Sequence, residues 1–172
     1  VFRAGRVFGA ADVDVLALGA TALSVNGVVG PGVVFVDVAS IVAARPVSGQ
    51  ALRGLSRDAL AVHAIAMPSA GAFGASLGGG ADLDGDGVVD LIVGAPDDDL
   101  VSVGAGAVYV LAGGTGLRAV ARPEAALVIA GDVHEVGFGR DVATLFAGGR
   151  SMLAFGAPEG ASGGVVFTLE PF

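Results

Sequence analysis

The chain has 172 residues, enough for one ordinary domain, with 30 glycines, no cysteine and no lysine. Its 17 carboxylates against nine arginines give a net charge of −8, so there is no basic stripe to neutralise phosphates and a nucleic-acid partner is excluded. The mean hydropathy of +0.79 is high, yet the apolar runs at 33–36 and 59–67 are ended by Asp37 or interrupted by His63. They fall well short of the ~18 residues of a spanning helix, so membrane insertion is not expected.

Short apolar runs punctuated by glycine describe buried β-strands separated by turns. In chain order they fall into three copies of one plan. The first copy has Phe2-Arg3, then VLALGA at 15–20, GVVFV at 32–36 and a strand at 59–67. The second has Phe73-Gly74, an aspartate-rich loop at 82–90, LIVGAP at 91–96, GAVYVL at 106–111 and a strand at 125–130. The third has Phe138-Gly139, LAFGAP at 153–158 and GVVFTL at 164–169, with no fourth strand up to Phe172.

The spacings agree. Phe73 recurs at Phe138, Gly94 at Gly156 and Gly106 at Gly164, by nearly the same step each time. From the first copy to the second, Phe2 to Phe73, Gly19 to Gly94 and Gly32 to Gly106 take a somewhat longer step. The extra residues sit mainly after Val36. One repeat region thus runs through 1–172, with copies at about 1–67, 68–131 and 132–172. The first two copies each predict four short antiparallel strands, one at the Phe-Gly, one at the LIVGAP-type word, one at the GAVYVL-type word and one before the next Phe-Gly, and the third predicts the first three of these. That is the pattern of a propeller blade. No segment has a capped helical period, although residues 40–44 could form one turn.

These words resemble FG-GAP repeats, the units of the seven-bladed propeller in the head of integrin α subunits. The likeness covers nearly the whole chain and is strongest in the middle copy. The third copy keeps both words without the acidic loop. The first lacks the glycine after Phe2 and the proline after Ala20. The resemblance implies an all-β fold of β-propeller blades, each of four antiparallel strands, with three repeats making an incomplete or half propeller. It also implies a non-enzymatic binding or adhesion module, secreted or at the cell surface. Such a module takes a protein or glycan ligand through blade-connecting loops, with its calcium loops on the opposite face.

Asp82, Asp84, Asp86 and Asp90 occupy positions one, three, five and nine of the loop DLDGDGVVD. Calcium takes 6–8 oxygens at about 2.3–2.6 Å, and alternate residues of a curled loop can point inward at that radius. Gly85 and Gly87 allow the curl. Val88 offers its main-chain carbonyl, and a bidentate Asp90 brings the protein oxygens to about six, leaving room for a water. An EF-hand would need a glutamate at position twelve and flanking helices, whereas position twelve here is Val93. The expectation is therefore one structural Ca2+ held by Asp82, Asp84, Asp86, Val88 and Asp90, against the simpler reading of a solvated acidic turn.

Other polar groups carry less. Asp97, Asp98 and Asp99 could contact a partner or a second cation, and read rather as a solvated loop tip. Asp12 and Asp14 fall where the first copy would carry its acidic loop, but lack the glycines for a site, and residues 144–150 of the third copy contain no carboxylate. Ser56, Asp58 and His63 lack a nucleophile elbow or an oxyanion loop, so no enzymatic activity is expected. Asp132, His134 and Glu135 read as a polar turn.

Propellers close with about four to eight blades, so three blades leave an open arc. Self-association is expected, with a dimer favoured. The alternative is that the chain, which starts at Val1 without methionine, is a processed form or a fragment whose other blades come from a longer polypeptide. The remaining functional alternatives are an accessory propeller domain of a larger secreted enzyme and a purely structural self-assembly unit.

Overall fold

Runs of valine, isoleucine and alanine broken by glycine form three antiparallel sheets. The computed structural model describes residues 2–9, 14–43, 61–119, 124–125, 127–132, 136–147, 150–159 and 165–169. The first sheet has strand order β1 (Phe2–Gly5), β2 (Val15–Val25), β3 (Val28–Asp37) and β4 (Ala61–Ala66). The second follows as β5 (Ser76–Gly79), β6 (Leu91–Ala95), β7 (Ala107–Leu111) and β8 (Leu127–Ala130). The third contains β9 (Asp141–Ala147), β10 (Arg150–Ala157) and β11 (Val165–Leu169), with β10 in the middle. Two short helices, α1 (Val38–Ala43) and α2 (Thr115–Ala119), accompany them. Among the described residues the sheets do not close into a ring, and no helix is long and apolar enough to cross a membrane.

The register repeats. Gly19 pairs with Val33, Gly94 with Val108 and Gly156 with Val166, so the glycine of each GAP-type word takes the same place in its sheet. The first strand of each copy differs from the sequence expectation. Phe73-Gly74 and Phe138-Gly139 lie in turns ahead of β5 and β9, with the two glycines at φ 90° and 82°. Phe2 is not their counterpart. It pairs with Ala17, the equivalent of Ile92, and so stands where Gly78 stands in the second sheet. The sequence aligned Phe2 by residue type, whereas strand register decides the position.

Two further local features went unread in the sequence. Asn26-Gly27, at φ 49° and 83°, closes the β2–β3 hairpin as a two-residue turn and carries the pairing out to Val25 and Val28. Helix α1 starts at Val38, two residues before the expected turn, because Asp37 caps it. The Asp37 carboxylate accepts the Ala39 and Ser40 amides at 2.9 and 3.1 Å and the Ser40 hydroxyl at 2.6 Å. The Ser40 hydroxyl first, and then the Ala39 amide, hold the Asp37 pKa below its ordinary value. The cap therefore contributes above the ordinary aspartate range and is lost as pH falls through the lowered pKa.

Alternation along the strands gives every sheet two apolar faces. Val15, Ala17, Val33, Phe35 and Ile65 of the first sheet meet Leu91, Val93, Tyr109 and Leu111 of the second in one core. On the other face of the second sheet, Ile92, Val108 and Val110 meet Leu153, Phe155 and Ala157 of the third. Phe73 and Phe138 plug these cores, 1% and 2% exposed. Their rings lie 5.5 Å from Tyr109 and 5.1 Å from Phe155.

The glycines set how closely the sheets approach. The Gly74 amide donates to the Gly94 carbonyl in its own sheet, and the Gly139 amide donates to that of Gly156, both at 3.0 Å. The carbonyls of the same Phe-Gly glycines press on the preceding sheet. A Cβ added to Gly19 would lie 1.9 Å from the Gly74 oxygen, and one added to Gly94 would lie 2.0 Å from the Gly139 oxygen. The Ser76 hydroxyl donates to the Gly139 carbonyl at 2.7 Å, and the Thr144 hydroxyl donates to the Gly79 carbonyl. Each Phe-Gly word thus brackets its own sheet and the one before it.

Candidate metal centre

Between β5 and β6 the chain leaves the sheet, curls and returns. Ala81 and Leu83 are 1% and 2% exposed and anchor the outgoing arm in the core between the second and third sheets. The curl is built by aspartate side chains bonding forward to backbone amides. Asp82 accepts Gly85 at 2.7 Å and Gly87 at 2.8 Å, Asp84 accepts the Asp86 amide at 3.1 Å, and Asp86 accepts Val88 at 2.7 Å. Gly85 and Gly87 adopt φ 81° and 86°, the left-handed region such a curl requires. The result brings one carboxylate oxygen from each of Asp82, Asp84 and Asp86 within 4.8 Å of one another. Asp82 is half-buried and the other two are exposed. This hard-oxygen donor set on a pre-curled loop can hold a metal ion such as Ca2+.

Asp90 occupies a different environment. It is 2% exposed, and its two oxygens accept the Leu83 amide at 2.7 Å and the Gly113 amide at 3.0 Å. It thereby ties the start of the loop to its end and both to the segment after β7. Burial raises its pKa, against the lowering by those two amides, and the Asp84 and Asp82 charges push it further up. Asp90 lies outside the group of three oxygens, although it feels their field. Val88 is half-buried on the returning arm.

Residues 73–111, from Phe73 through the acidic loop to the end of β7, match the FG-GAP repeat family. The chain carries an FG-GAP repeat. No curated protein matches the chain. In this FG-GAP repeat each word has a packing reason. The Phe-Gly supplies the core plug and the bracketing carbonyl. The GAP glycine supplies the bare backbone that the next bracket needs, and Ala95 and Pro96 are buried behind it.

The acidic loop precedes Leu91 while residues 96–106 follow Ala95, so the two lie at opposite ends of β6. Asp97 and Asp99 are exposed, as expected of a loop tip, but Asp98 is 2% exposed, which corrects the reading of all three as solvated. Tyr109 donates its hydroxyl to Asp98 at 2.6 Å, and Asp98 also accepts the Leu100 amide at 2.8 Å. Asp99 accepts the Gly104 amide at 2.7 Å. No spacing rule links Asp98 to Tyr109 on the facing part of the hairpin, so this latch was invisible in the sequence. Beside it a cleft of about 530 Å³ opens between the first and second sheets, lined by Gly19, Pro31, Phe73, Gly74 and Asp97.

Burial first, and then Asp98, push the Tyr109 phenol well above its ordinary range. A raised folded-state pKa means a contribution intact below about pH 10 and lost as pH rises further. The chain has one tyrosine, no lysine and no cysteine, so alkaline unfolding isolates this group. We expect urea-unfolding stability to fall above about pH 10 in the native chain and not in Tyr109→Phe. At pH 7 that variant should be about 1.5–3 kcal/mol less stable, the range for a hydrogen bond to a charged group. Equal stability at both pH values would show that the latch does not matter.

His63 packs against Phe8 and Phe35 at ring distances of 5.7 and 6.0 Å, a core position. Ser56, Asp58, Asp12, His134 and Glu135 lie outside the described residues, as do 148–149 of the third copy's loop. Asp132 is exposed.

Proposed function

We propose that the chain is a calcium-stabilised, integrin-like β-propeller module that binds a protein or glycan outside the cell, secreted or at the cell surface. In this reading the sheets are blades of an incomplete propeller whose chains self-associate, and the module carries out no reaction. The observation that carries the proposal is an acidic loop, inside an FG-GAP repeat, whose three carboxylates converge. One Ca2+ would be held by Asp82, Asp84, Asp86, the Val88 carbonyl and Asp90. The role is structural: a cation offsets repulsion among carboxylates that the fold has already drawn together. A ligand is then left to loops such as 96–106, at the far end of β6 from the metal.

If the affinity is that of extracellular modules, ~0.1 mM, then ~1–2 mM calcium stabilises the fold by roughly 1.5 kcal/mol. Melting with calcium and with EGTA should therefore differ by about 3–6 °C. Asp84→Ala and Asp86→Ala should each remove the calcium response while melting close to the native chain in EGTA. An unchanged melting temperature in chelator would refute the calcium reading.

A further inference from the structure

The acidic loop touches both cores of the molecule. Its outgoing arm is anchored by Ala81 and Leu83 in the core between the second and third sheets. Val89, on the returning arm, packs on the core shared by the first and second sheets. From there a short series of contacts crosses to the first sheet. Asp90 accepts the amide of Leu83, which stands between Asp82 and Asp84, through one oxygen and the Gly113 amide through the other. The next amide, that of Gly114, donates to the Val7 carbonyl at 2.7 Å. Val7 and Phe8 connect β1 to β2 and are 0% and 1% exposed. The Phe8 ring lies 4.9 Å from that of Phe35 in β3.

Gly113 sits at the centre of this joint, where only bare backbone fits. An added Cβ would lie 2.3 Å from the Val89 oxygen, 2.8 Å from Cγ1 of Val88 and 3.0 Å from the Val7 oxygen. Two of those atoms belong to the acidic loop and the third to the first sheet, so this glycine keeps both in contact. We infer that Gly113 is a positioning residue for the metal centre, and that a cation in the acidic loop clamps the 6–9 segment of the first sheet onto the second. The inference rests on the calcium reading above and extends it from one hairpin to the junction of two sheets. A cation needs Asp82, Asp84 and Asp86 held together. Asp90 fixes the amide between the first two, and the Gly113 amide fixes Asp90, as outer partners orient the groups around a metal. A carboxylate has about four acceptor sites, so Asp90 can keep both amides when the loop is loaded. Whatever steadies Gly113 and Gly114 against Val7 then favours the loaded loop. By linkage, the loaded loop favours the docked segment by the same factor.

The test is calcium affinity, by isothermal titration of the intact chain and its variants. Gly113→Ala removes no carboxylate, yet should weaken calcium binding about tenfold. Val7→Ala should weaken it about fivefold, the low end of typical coupling between sites. Val34→Ala makes the same truncation on the opposite face of the first sheet, and should stay within about twofold of the native affinity. In the native chain, hydrogen exchange of the Gly114 amide should be about tenfold slower in calcium than in EGTA. The Gly139 amide, beside the other end of β6, should slow less. Equal affinities in Val7→Ala and Val34→Ala, or Gly114 exchange indifferent to calcium, overturn the clamp. A folded Gly113→Ala chain with native affinity overturns the positioning role. Should that variant fail to fold, the two valine variants and the native exchange decide. A native chain that binds no calcium overturns the calcium reading and this inference together, whereas the other results leave the calcium reading standing.

Discussion

Gly94→Ala should destabilise the protein by about 3 kcal/mol, although it adds only one methyl and alanine loses less backbone entropy in a strand than glycine does. The added carbon would sit 2.0 Å from the Gly139 carbonyl oxygen and 2.1 Å from the Ser76 hydroxyl. The hydroxyl is the donor to that same carbonyl, so it cannot swing aside without abandoning its bond. The carbonyl belongs to a backbone fixed by the Gly139–Gly156 hydrogen bond. Relief therefore requires the second and third sheets to separate, and overpacking of that kind costs typically about 1–3 kcal/mol and occasionally more. Gly116→Ala is the control. Gly116 lies in α2 with nothing within 4 Å of an added Cβ, so it should be neutral or stabilising by up to about 1 kcal/mol. Urea unfolding of both variants checks this. If Gly94→Ala fell within about 0.5 kcal/mol of the native chain, the range of an unconstrained surface substitution, the sheets would not be held at this distance in solution.

The second large effect belongs to Asp90. Asp90→Ala should cost about 2–4 kcal/mol in EGTA, where no cation contributes, because it strips the acceptor from two backbone amides. The Leu83 amide is buried and would be left unsatisfied, at about 1–3 kcal/mol, with the Gly113 bond lost in addition. Asp84→Ala should cost little under the same conditions, since Asp84 is exposed and its bond is to a neighbouring loop amide. The contrast separates two kinds of carboxylate within one loop. Exposed members matter through the ion, whereas Asp90 also holds the loop closed without it. Chemical denaturation of both variants in EGTA, repeated in calcium, checks the division. Equal stability of Asp84→Ala and Asp90→Ala in EGTA would refute it.

How much of this was legible in the sequence depends on the range of each interaction. The acidic loop could be read because its determinants are local: alternate carboxylates, and glycines at 85 and 87 that permit the curl. The structure brings together Asp82, Asp84 and Asp86, three of the residues singled out. The two roles of Asp90 were not legible, because one of its partners is Gly113, across the sheet and well beyond the reach of any local rule. The same holds for the Asp98–Tyr109 latch, and for Phe2, which residue type aligned with Phe73 and strand register assigned to another place. The Asn26-Gly27 turn and the Asp37 cap were within reach of local rules, and their signals lay in plain residue patterns.

The strands of the middle copy, its repeat relation to the third and the curl of the acidic loop are all written in the chain itself. Each follows from backbone and side-chain preferences over a few residues. Why the words Phe-Gly and Gly-Ala-Pro travel together emerges only from the packing of the sheets. A glycine in one sheet is bare because the carbonyl of the next sheet's Phe-Gly occupies the space of its side chain. Gly19 excludes a side chain on account of Gly74, and Gly94 on account of Gly139. Steric exclusion between segments so distant along the chain leaves no trace in local sequence pattern, so it becomes visible only when the sheets are stacked. The same stacking shows α1 packed, through Ile41, on the outer face of the first sheet.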